Sequence, residues 1–143
     1  MRSQILRAPF ALALASATAL ATTLATGACG GGGDSFSKSD ADSAVNVLLR
    51  DFAFEGLPRT VTGEKLFVTA TNAGPSQHEF EIVDASGKSI DEIEPFDPGG
   101  KPPTLAVRLK PGTYTIQCML TTPDGKEHAD LGMKATLQVL ARG

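Results

Sequence analysis

Short segments of alternating apolar and polar residues recur along most of the chain, and no segment keeps a helical period. For example, His78, Phe80 and Ile82 share one face of a predicted strand. Glu79 and Glu81 lie on the other face and are expected to point to water. Because successive side chains of a strand point to opposite faces, this pattern predicts half-buried β-strands. Gly, Pro, Asn and Asp separate the segments and indicate turns.

The alternating segments predict an all-β domain, a Greek-key β-sandwich of about seven or eight strands. The clear segments cover residues 44–54, 65–71, 78–83, 105–109, 113–119 and 133–140. The first segment is expected to contain a bulge, because its apolar residues change from odd to even positions. Residues 84–103 leave two alternatives, a strand or a helical turn near Ile90 and Ile93, followed by an irregular connection rich in Pro and Gly.

Four residues are placed where they could bind one metal ion: His78, Cys118, His128 and Met133. The strand alternation puts His78, Cys118 and Met133 on apolar faces, and His128 lies in the loop between Cys118 and Met133. Two neutral imidazoles, a thiolate and a thioether suit a soft to borderline metal. The alternative is that these few residues have this order by chance and that the histidines are structural.

The first 28 residues have the features of a secretory signal peptide. Arg2 and Arg7 precede an apolar stretch over residues 8–24, and small residues lead into Cys29. Small residues that end at a Cys resemble the lipobox of bacterial lipoproteins, although Thr26 stands where Leu is usual. This resemblance implies that Cys29 is lipidated. The alternative is a plain cleaved signal that leaves a free Cys29.

Residues 29–43 are rich in Gly, Ser and Asp and predict a flexible tether, so the folded domain is expected to cover residues 44–141. Cys29 and Cys118 are expected to have separate roles, and no disulfide is predicted. The chain carries 13 basic and 16 acidic residues, which give a net charge of −3. This balance argues against nucleic acid as a partner.

Four short motifs stand out in the sequence: Asn-Ala-Gly-Pro-Ser-Gln-His-Glu-Phe at 72–80, Pro-Gly-Thr-Tyr-Thr-Ile-Gln-Cys at 111–118, Gly-Met-Lys-Ala-Thr-Leu at 132–137 and Asp-Phe-Ala-Phe at 51–54. Together they resemble segments of the cupredoxins, the plastocyanin- and azurin-like blue copper proteins. The resemblance implies one type 1 copper with His78, Cys118 and His128 as equatorial ligands and Met133 as a long axial ligand. Nine residues separate Cys118 from His128, which is more than in plastocyanin and leaves the exposure of His128 open.

The copper site implies electron transfer rather than catalysis, so the chain is not expected to be an enzyme. We expect an exported monomer, lipid-anchored at Cys29 to a bacterial membrane and facing the periplasm or the cell exterior, that exchanges one electron with larger redox proteins. The alternatives are a copper carrier or storage lipoprotein that delivers metal and a sandwich that binds no metal. Backbone amides are expected to donate to the Cys118 sulfur, and Asn72 either fastens the two ligand loops or is a plain turn residue.

Overall fold

The computed structural model describes residues 35–143, which form nine strands and a short 3-10 helix at Lys38–Asp40. The strands are β1 (Ser43–Arg50), β2 (Ala53–Glu55), β3 (Thr60–Thr62), β4 (Lys65–Asn72), β5 (His78–Val83), β6 (Ser89–Phe96), β7 (Thr104–Arg108), β8 (Gly112–Gln117) and β9 (Lys134–Leu140). The predicted all-β class is confirmed. The predicted signal peptide, Cys29 and residues 29–34 of the predicted tether lie outside the described residues.

The strands form two sheets that pack face to face. One sheet has the order β2-β1-β4-β7, and the other has the order β3-β9-β8-β5-β6. The pairs β1–β4 and β3–β9 are parallel, and the remaining pairs are antiparallel. Because β5 and β9 both run antiparallel to β8, the start of β5, the end of β8 and the start of β9 lie together at one end of the sandwich.

Alternating side chains from both sheets fill the core between them. Residues 45, 47 and 49 of β1 are buried, while their neighbours at 44, 46 and 48 are exposed. Among the fully buried side chains are Phe80, Ile82, Ile116 and Leu137. Each contributes about 1.5–3 kcal/mol of hydrophobic stabilisation. The inward faces predicted from alternation are therefore confirmed at these positions, although β5 also buries Glu79 and Val83.

The bulge predicted in residues 44–54 is wrong. The first strand ends at Arg50, the chain reverses at Asp51 and Phe52, and β2 returns antiparallel to β1. Leu49 pairs with Phe54 across this hairpin. A turn of two residues and a bulge both shift the parity of the apolar positions, so alternation alone did not distinguish them. The turn places Asp51 and Phe52 at the end of the sandwich that carries the site.

Two strands do not show in the sequence pattern. Strand β3 has three residues with a single buried side chain, Val61, which is too little for alternation to show. Strand β6 lies at a sheet edge beside β5, and Ile93 is its one buried residue. Of the two alternatives for the segment near Ile90 and Ile93, the structure therefore has the strand. An irregular connection follows from residue 97 to residue 103.

The described part of the predicted tether contacts the sandwich. The Asp42 carboxylate accepts a hydrogen bond from the backbone N–H of Lys65 at 2.9 Å. The guanidinium of Arg108 lies over the ring of Phe36, with its carbon 5.7 Å from the ring centre. The boundaries of signal, tether and domain stay predictions. Within residues 35–143, no helix has the length and apolar character needed to cross a membrane.

Candidate metal centre

The four predicted ligand residues lie at strand ends on one end of the sandwich. His78 begins β5, Cys118 follows the last residue of β8, and Met133 precedes the first residue of β9. His128 lies in the connection between β8 and β9. Relative exposure is 0% for His78, Cys118 and Met133 and 3% for His128. The sequence did not decide how exposed His128 is, and in the structure it is almost completely buried.

Three of the four residues bring their donor atoms to one point. The ligand atoms of His78, Cys118 and His128 all lie within 4.8 Å of one another. The Cys118 Sγ is 3.5 Å from His128 Nδ1, and the two imidazole centres are 5.2 Å apart. His78 Nδ1 is buried and has no hydrogen-bond partner. A buried ring nitrogen is rarely left unpaired in a native protein, so this atom points to a ligand.

Backbone hydrogen bonds join the remaining residue, Met133, to the same cluster. The Cys118 N–H donates to the Met133 carbonyl at 3.1 Å, and the Met133 N–H donates to the His128 carbonyl at 2.9 Å. The side chain of Met133 is fully buried. Its role as an axial ligand stays a prediction, supported by this position between Cys118 and His128.

The long connection between Cys118 and His128 is ordered by its own small hairpin. Thr121 and Glu127 form an antiparallel bridge, and the Thr122 N–H donates to the Lys126 carbonyl at 2.9 Å. The His128 N–H then donates to the Leu120 carbonyl at 2.8 Å. The extra residues are therefore taken up by the hairpin, and His128 still returns to within reach of Cys118.

Asp51 and Ser76 form a hydrogen-bonded support behind His78. The Asp51 Oδ1 lies 2.7 Å from His78 Nε2, and its Oδ2 accepts a hydrogen bond from the Ser76 hydroxyl at 2.6 Å. Burial alone would raise the pKa of Asp51, but the hydrogen bonds from Ser76 and His78 outweigh it and leave that pKa below its ordinary value. No role for Asp51 followed from the sequence, since its contact with His78 spans 27 residues.

The residue after Asp51 supports the second histidine. The Phe52 ring packs edge-on against the His128 imidazole, with ring centres 4.8 Å apart. Edge-to-face packing of this kind restricts the ring that it contacts. The turn between β1 and β2 therefore contacts both histidines through two consecutive side chains. Asp51 and Phe52 belong to the sequence motif at 51–54, but no contact between these residues and the histidines was predicted from the sequence.

Glu79 is buried, which contradicts its predicted exposure to water. Its relative exposure is 9%, and its Oε1 accepts a hydrogen bond from the backbone N–H of Met119. Beyond the last paired residues of β5 and β8 this N–H has no ladder partner, and the carboxylate supplies one. Because Glu79 follows His78 and Met119 follows Cys118, this contact fastens the two ligand segments.

Asn72 does not join the two ligand loops. Its side-chain amide donates to the carbonyls of Ser76 and Phe96 at 2.8 and 2.9 Å, and its oxygen accepts from the Gly74 N–H at 3.1 Å. Asn72 thus closes the turn that leads to His78 and attaches it to the end of β6. Of the two predicted roles, the turn residue is closer to what the structure has.

Burial keeps Cys118 protonated and His128 neutral before a metal binds. Burial raises the pKa of the Cys118 thiol, although backbone N–H groups of Glu79 and Leu120 donate toward the sulfur, as expected, and oppose this effect. Burial, followed by the neighbouring His78, lowers the pKa of His128. The His128 imidazole therefore stays neutral at neutral pH. A metal that binds here displaces the thiol proton of Cys118.

The donor set determines which metals fit. A thiolate and two imidazoles in a buried pocket exclude hard cations such as Mg²⁺ and Ca²⁺, which prefer oxygen ligands. Copper and zinc both accept sulfur and nitrogen donors. Trigonal His-Cys-His coordination with a weak Met contact is characteristic of copper, and every one of these residues is present at this end of the sandwich.

No protein-family model matches the chain, and no curated protein matches it in sequence. Solved structures do match. Reduced auracyanin from the photosynthetic bacterium Roseiflexus castenholzii is 22% identical over 69% of this chain and 98% of that chain, with a TM-score of 0.53. Auracyanin B is 17% identical over 76% of this chain and 96% of that chain, with a TM-score of 0.55. A multicopper oxidase is 16% identical over 69% of this chain and 44% of the oxidase, with a TM-score of 0.51.

These likenesses establish that the chain has the cupredoxin fold, as the sequence motifs implied. The small auracyanins are covered almost completely by this one domain, whereas the oxidase extends well beyond it. At these identities the likeness concerns the fold alone.

Proposed function

We propose that the protein binds one copper ion at His78, Cys118, His128 and Met133 and carries single electrons. One observation carries this proposal: three buried side chains of the required types each bring a donor atom within 4.8 Å of the others, and His78 Nδ1 is a buried nitrogen with no hydrogen-bond partner. When bound, copper supplies one-electron chemistry by alternating between Cu(I) and Cu(II). The four residues would hold it in both states.

The protein contributes a site that resists rearrangement. Cu(I) favours thiolate and thioether donors, whereas Cu(II) favours nitrogen donors, and the proposed donor set lies between these preferences. Backbone hydrogen bonds tie Cys118, His128 and Met133 to one another, and Asp51 and Glu79 anchor the segment of His78. Because these donors are buried and held from several sides, little reorganisation opposes electron transfer.

We further propose that the protein acts as a carrier rather than an enzyme. The sequence has two histidines, and the proposed site uses both. No imidazole then remains for a second copper centre of the kind that would reduce a substrate. Electrons would enter and leave near His128, where a surface depression is lined by residues that include Gln77, Leu120 and Pro123. Its partners would be larger redox proteins, with no role for nucleic acid, and the protein would work as a monomer.

The decisive experiment is a visible absorption spectrum of the purified chain loaded with Cu(II) and then reduced. An intense band near about 600 nm that bleaches on reduction and returns on oxidation is expected for a cysteine thiolate bound to copper. A colourless protein that binds Cu(I) tightly would favour copper delivery instead. A protein that binds neither ion would overturn the proposed site.

We also propose that the chain is exported and anchored to a membrane through a lipid on Cys29, and that this anchor keeps the copper domain close to its redox partners. The supporting features are the signal-like residues 1–28 and the small residues that precede Cys29. Fractionation of cells that express the wild type and Cys29→Ser tests this anchor. The wild type should sediment with membranes, and the variant should not. Wild-type protein in the soluble fraction would reject lipidation.

A further inference from the structure

The carboxylate of Asp51 determines which nitrogen of His78 can bind a metal. Asp51 Oδ1 lies 2.7 Å from His78 Nε2, while Asp51 Oδ2 already accepts the hydrogen bond of the Ser76 hydroxyl. A carboxylate without a proton can only accept hydrogen bonds, so the hydrogen between Asp51 and His78 belongs to Nε2. The neutral imidazole then presents the lone pair of Nδ1 on its opposite side.

The surroundings of Nδ1 agree with this tautomer. Nδ1 is buried and has no hydrogen-bond partner, and His78 belongs to the cluster with Cys118 and His128 whose donor atoms lie within 4.8 Å of one another. If Nδ1 carried the proton, a buried donor would be unpaired and Nε2 would have no hydrogen to give to Asp51. Both consequences are unfavourable, because a buried donor without a partner loses its hydrogen bond to water and gains none in return.

Asp51 also brings a negative charge close to the proposed copper. The His78 side chain is fully buried, and the Asp51 side chain is 22% exposed, so water screens the charge only in part. A negative charge favours the ion with the greater positive charge. An Asp51 carboxylate therefore stabilises Cu(II) relative to Cu(I), which lowers the reduction potential.

We propose that Asp51 is a positioning residue that holds His78 as the Nε2–H tautomer and lowers the reduction potential of the bound copper. This inference rests on the proposed copper site. It adds Asp51, from the turn between β1 and β2, to that site. Ser76 then orients the Asp51 carboxylate through its hydroxyl hydrogen bond.

Two variants separate the two roles of Asp51. In Asp51→Asn the side-chain oxygen can still accept from Nε2–H, and the amide can donate to the Ser76 hydroxyl, but the charge is lost. In Asp51→Ala both the acceptor and the charge are lost. The matched control is Asp97→Asn. Asp97 is also a carboxylate near His78, because it follows Phe96, the strand partner of His78, but it accepts a hydrogen bond from Gln77 and not from His78.

The first measurement needs no copper. Long-range ¹H–¹⁵N spectra of the metal-free chain report the tautomer of each of its two histidines. We expect the Nε2–H form of His78 in the wild type and in Asp51→Asn, and a mixture of forms in Asp51→Ala. An Nδ1–H form in the wild type, or an unchanged tautomer in Asp51→Ala, would overturn the positioning role. If Asp51→Ala does not fold, the wild-type spectrum still decides.

The second measurement is the reduction potential, followed through the visible band of the copper-loaded chain. Asp51→Asn should raise the potential and should raise it more than Asp97→Asn does. Asp51→Ala should also weaken copper binding by about 10–100-fold, the usual effect of losing the hydrogen-bond partner of a ligating histidine. Equal potentials for Asp51→Asn and Asp97→Asn would overturn the tuning role.

The two proposals fail in different ways. A wild type without a visible band would overturn the copper site, while the tautomer spectra would still decide whether Asp51 orients His78. A wild type with the band, combined with variants that leave tautomer and potential unchanged, would overturn the role of Asp51 and leave the copper site in place.

Discussion

Gly74 lies directly against the His78 imidazole. A Cβ added at position 74 would be 2.9 Å from His78 Nε2 and 2.6 Å from Asp51 Oδ1. Real Cβ atoms essentially never approach other heavy atoms so closely, so the contact between Asp51 and His78 leaves no room for a side chain at this position. The glycine of the motif at 72–80 is therefore required for space.

Replacing Gly74 by Ala should push Asp51 away from His78. We expect the free energy of unfolding of the metal-free chain to fall by about 1–3 kcal/mol, as for other overpacked sites, together with weaker copper binding. Urea unfolding and copper titration measure the two effects. Gly100→Ala is the control, because its nearest contact would be the Asp97 carbonyl at an ordinary 3.7 Å. Equal stability of the two variants would contradict the crowding.

Replacing Cys118 by Ser should abolish the visible band of the copper-loaded chain. The band requires a thiolate bound to copper, and a serine hydroxyl stays protonated and binds copper poorly. An absorption spectrum at equal copper loading measures the change. Cys29→Ser removes the other cysteine and should leave the band intact. A blue Cys118→Ser protein would reject the assignment of this ligand.

Replacing Met133 by Leu should keep the copper and the visible band while raising the reduction potential. The thioether is a weak donor to Cu(II), and its loss destabilises the oxidised state. Since Met and Leu have similar volumes, the free energy of unfolding should change by less than about 1.5 kcal/mol. Met119→Leu serves as control, because Met119 is 40% exposed, whereas Met133 is fully buried. An unchanged potential in Met133→Leu would remove Met133 from the site.

Replacing Glu92 by Gln should stabilise the protein slightly at neutral pH. Partial desolvation, followed by the carboxylates of Glu94, Glu79, Glu81 and Asp91, raises the pKa of Glu92. A carboxyl group whose pKa is raised in the folded state makes the folded protein less stable as the pH rises above the pKa of that group in the unfolded chain, about 4.3. The gain from Gln should therefore vanish at lower pH.

The size of this gain is limited because Glu92 is exposed, so we expect about 0.5 kcal/mol or less, and less again at high salt. Urea unfolding at pH 7 and below pH 4 measures it. In Glu55→Gln an ion pair with Arg50 is lost, and the sign of the change at pH 7 should be the opposite. Destabilisation by Glu92→Gln at pH 7 would contradict the repulsion among these carboxylates.

The sequence predicted the regular part of the fold well, since alternation is a local property. Segments 65–71 and 105–109 differ from β4 and β7 by at most one residue at either end, and β5 is as predicted. The pattern failed where few side chains are buried. Strands β3 and β6 each bury a single residue, Val61 and Ile93, so their position depends on pairing with β9 and β5 rather than on their own composition.

For the metal site too, local sequence predicted some features and tertiary contacts determined others. Its residue types and their inward faces follow from local sequence, and for that reason alternation alone assigns His78, Cys118 and Met133 to the core side. The residues that support them did not follow. Asp51 acts on His78 across 27 positions, and Glu79 acts on Met119 across 40. Glu79 even has the parity of a solvent-facing residue.

The sequence alone therefore determined the fold class, the four candidate donors and the faces on which they lie, because strand alternation and ligand chemistry depend on neighbouring residues. Only the tertiary structure decided that the turn after β1 supports both histidines, that Glu79 joins the two ligand segments, and that the long loop buries His128. These contacts depend on which strands become neighbours in the two sheets, and that pairing is set by burial of the whole core rather than by any single segment.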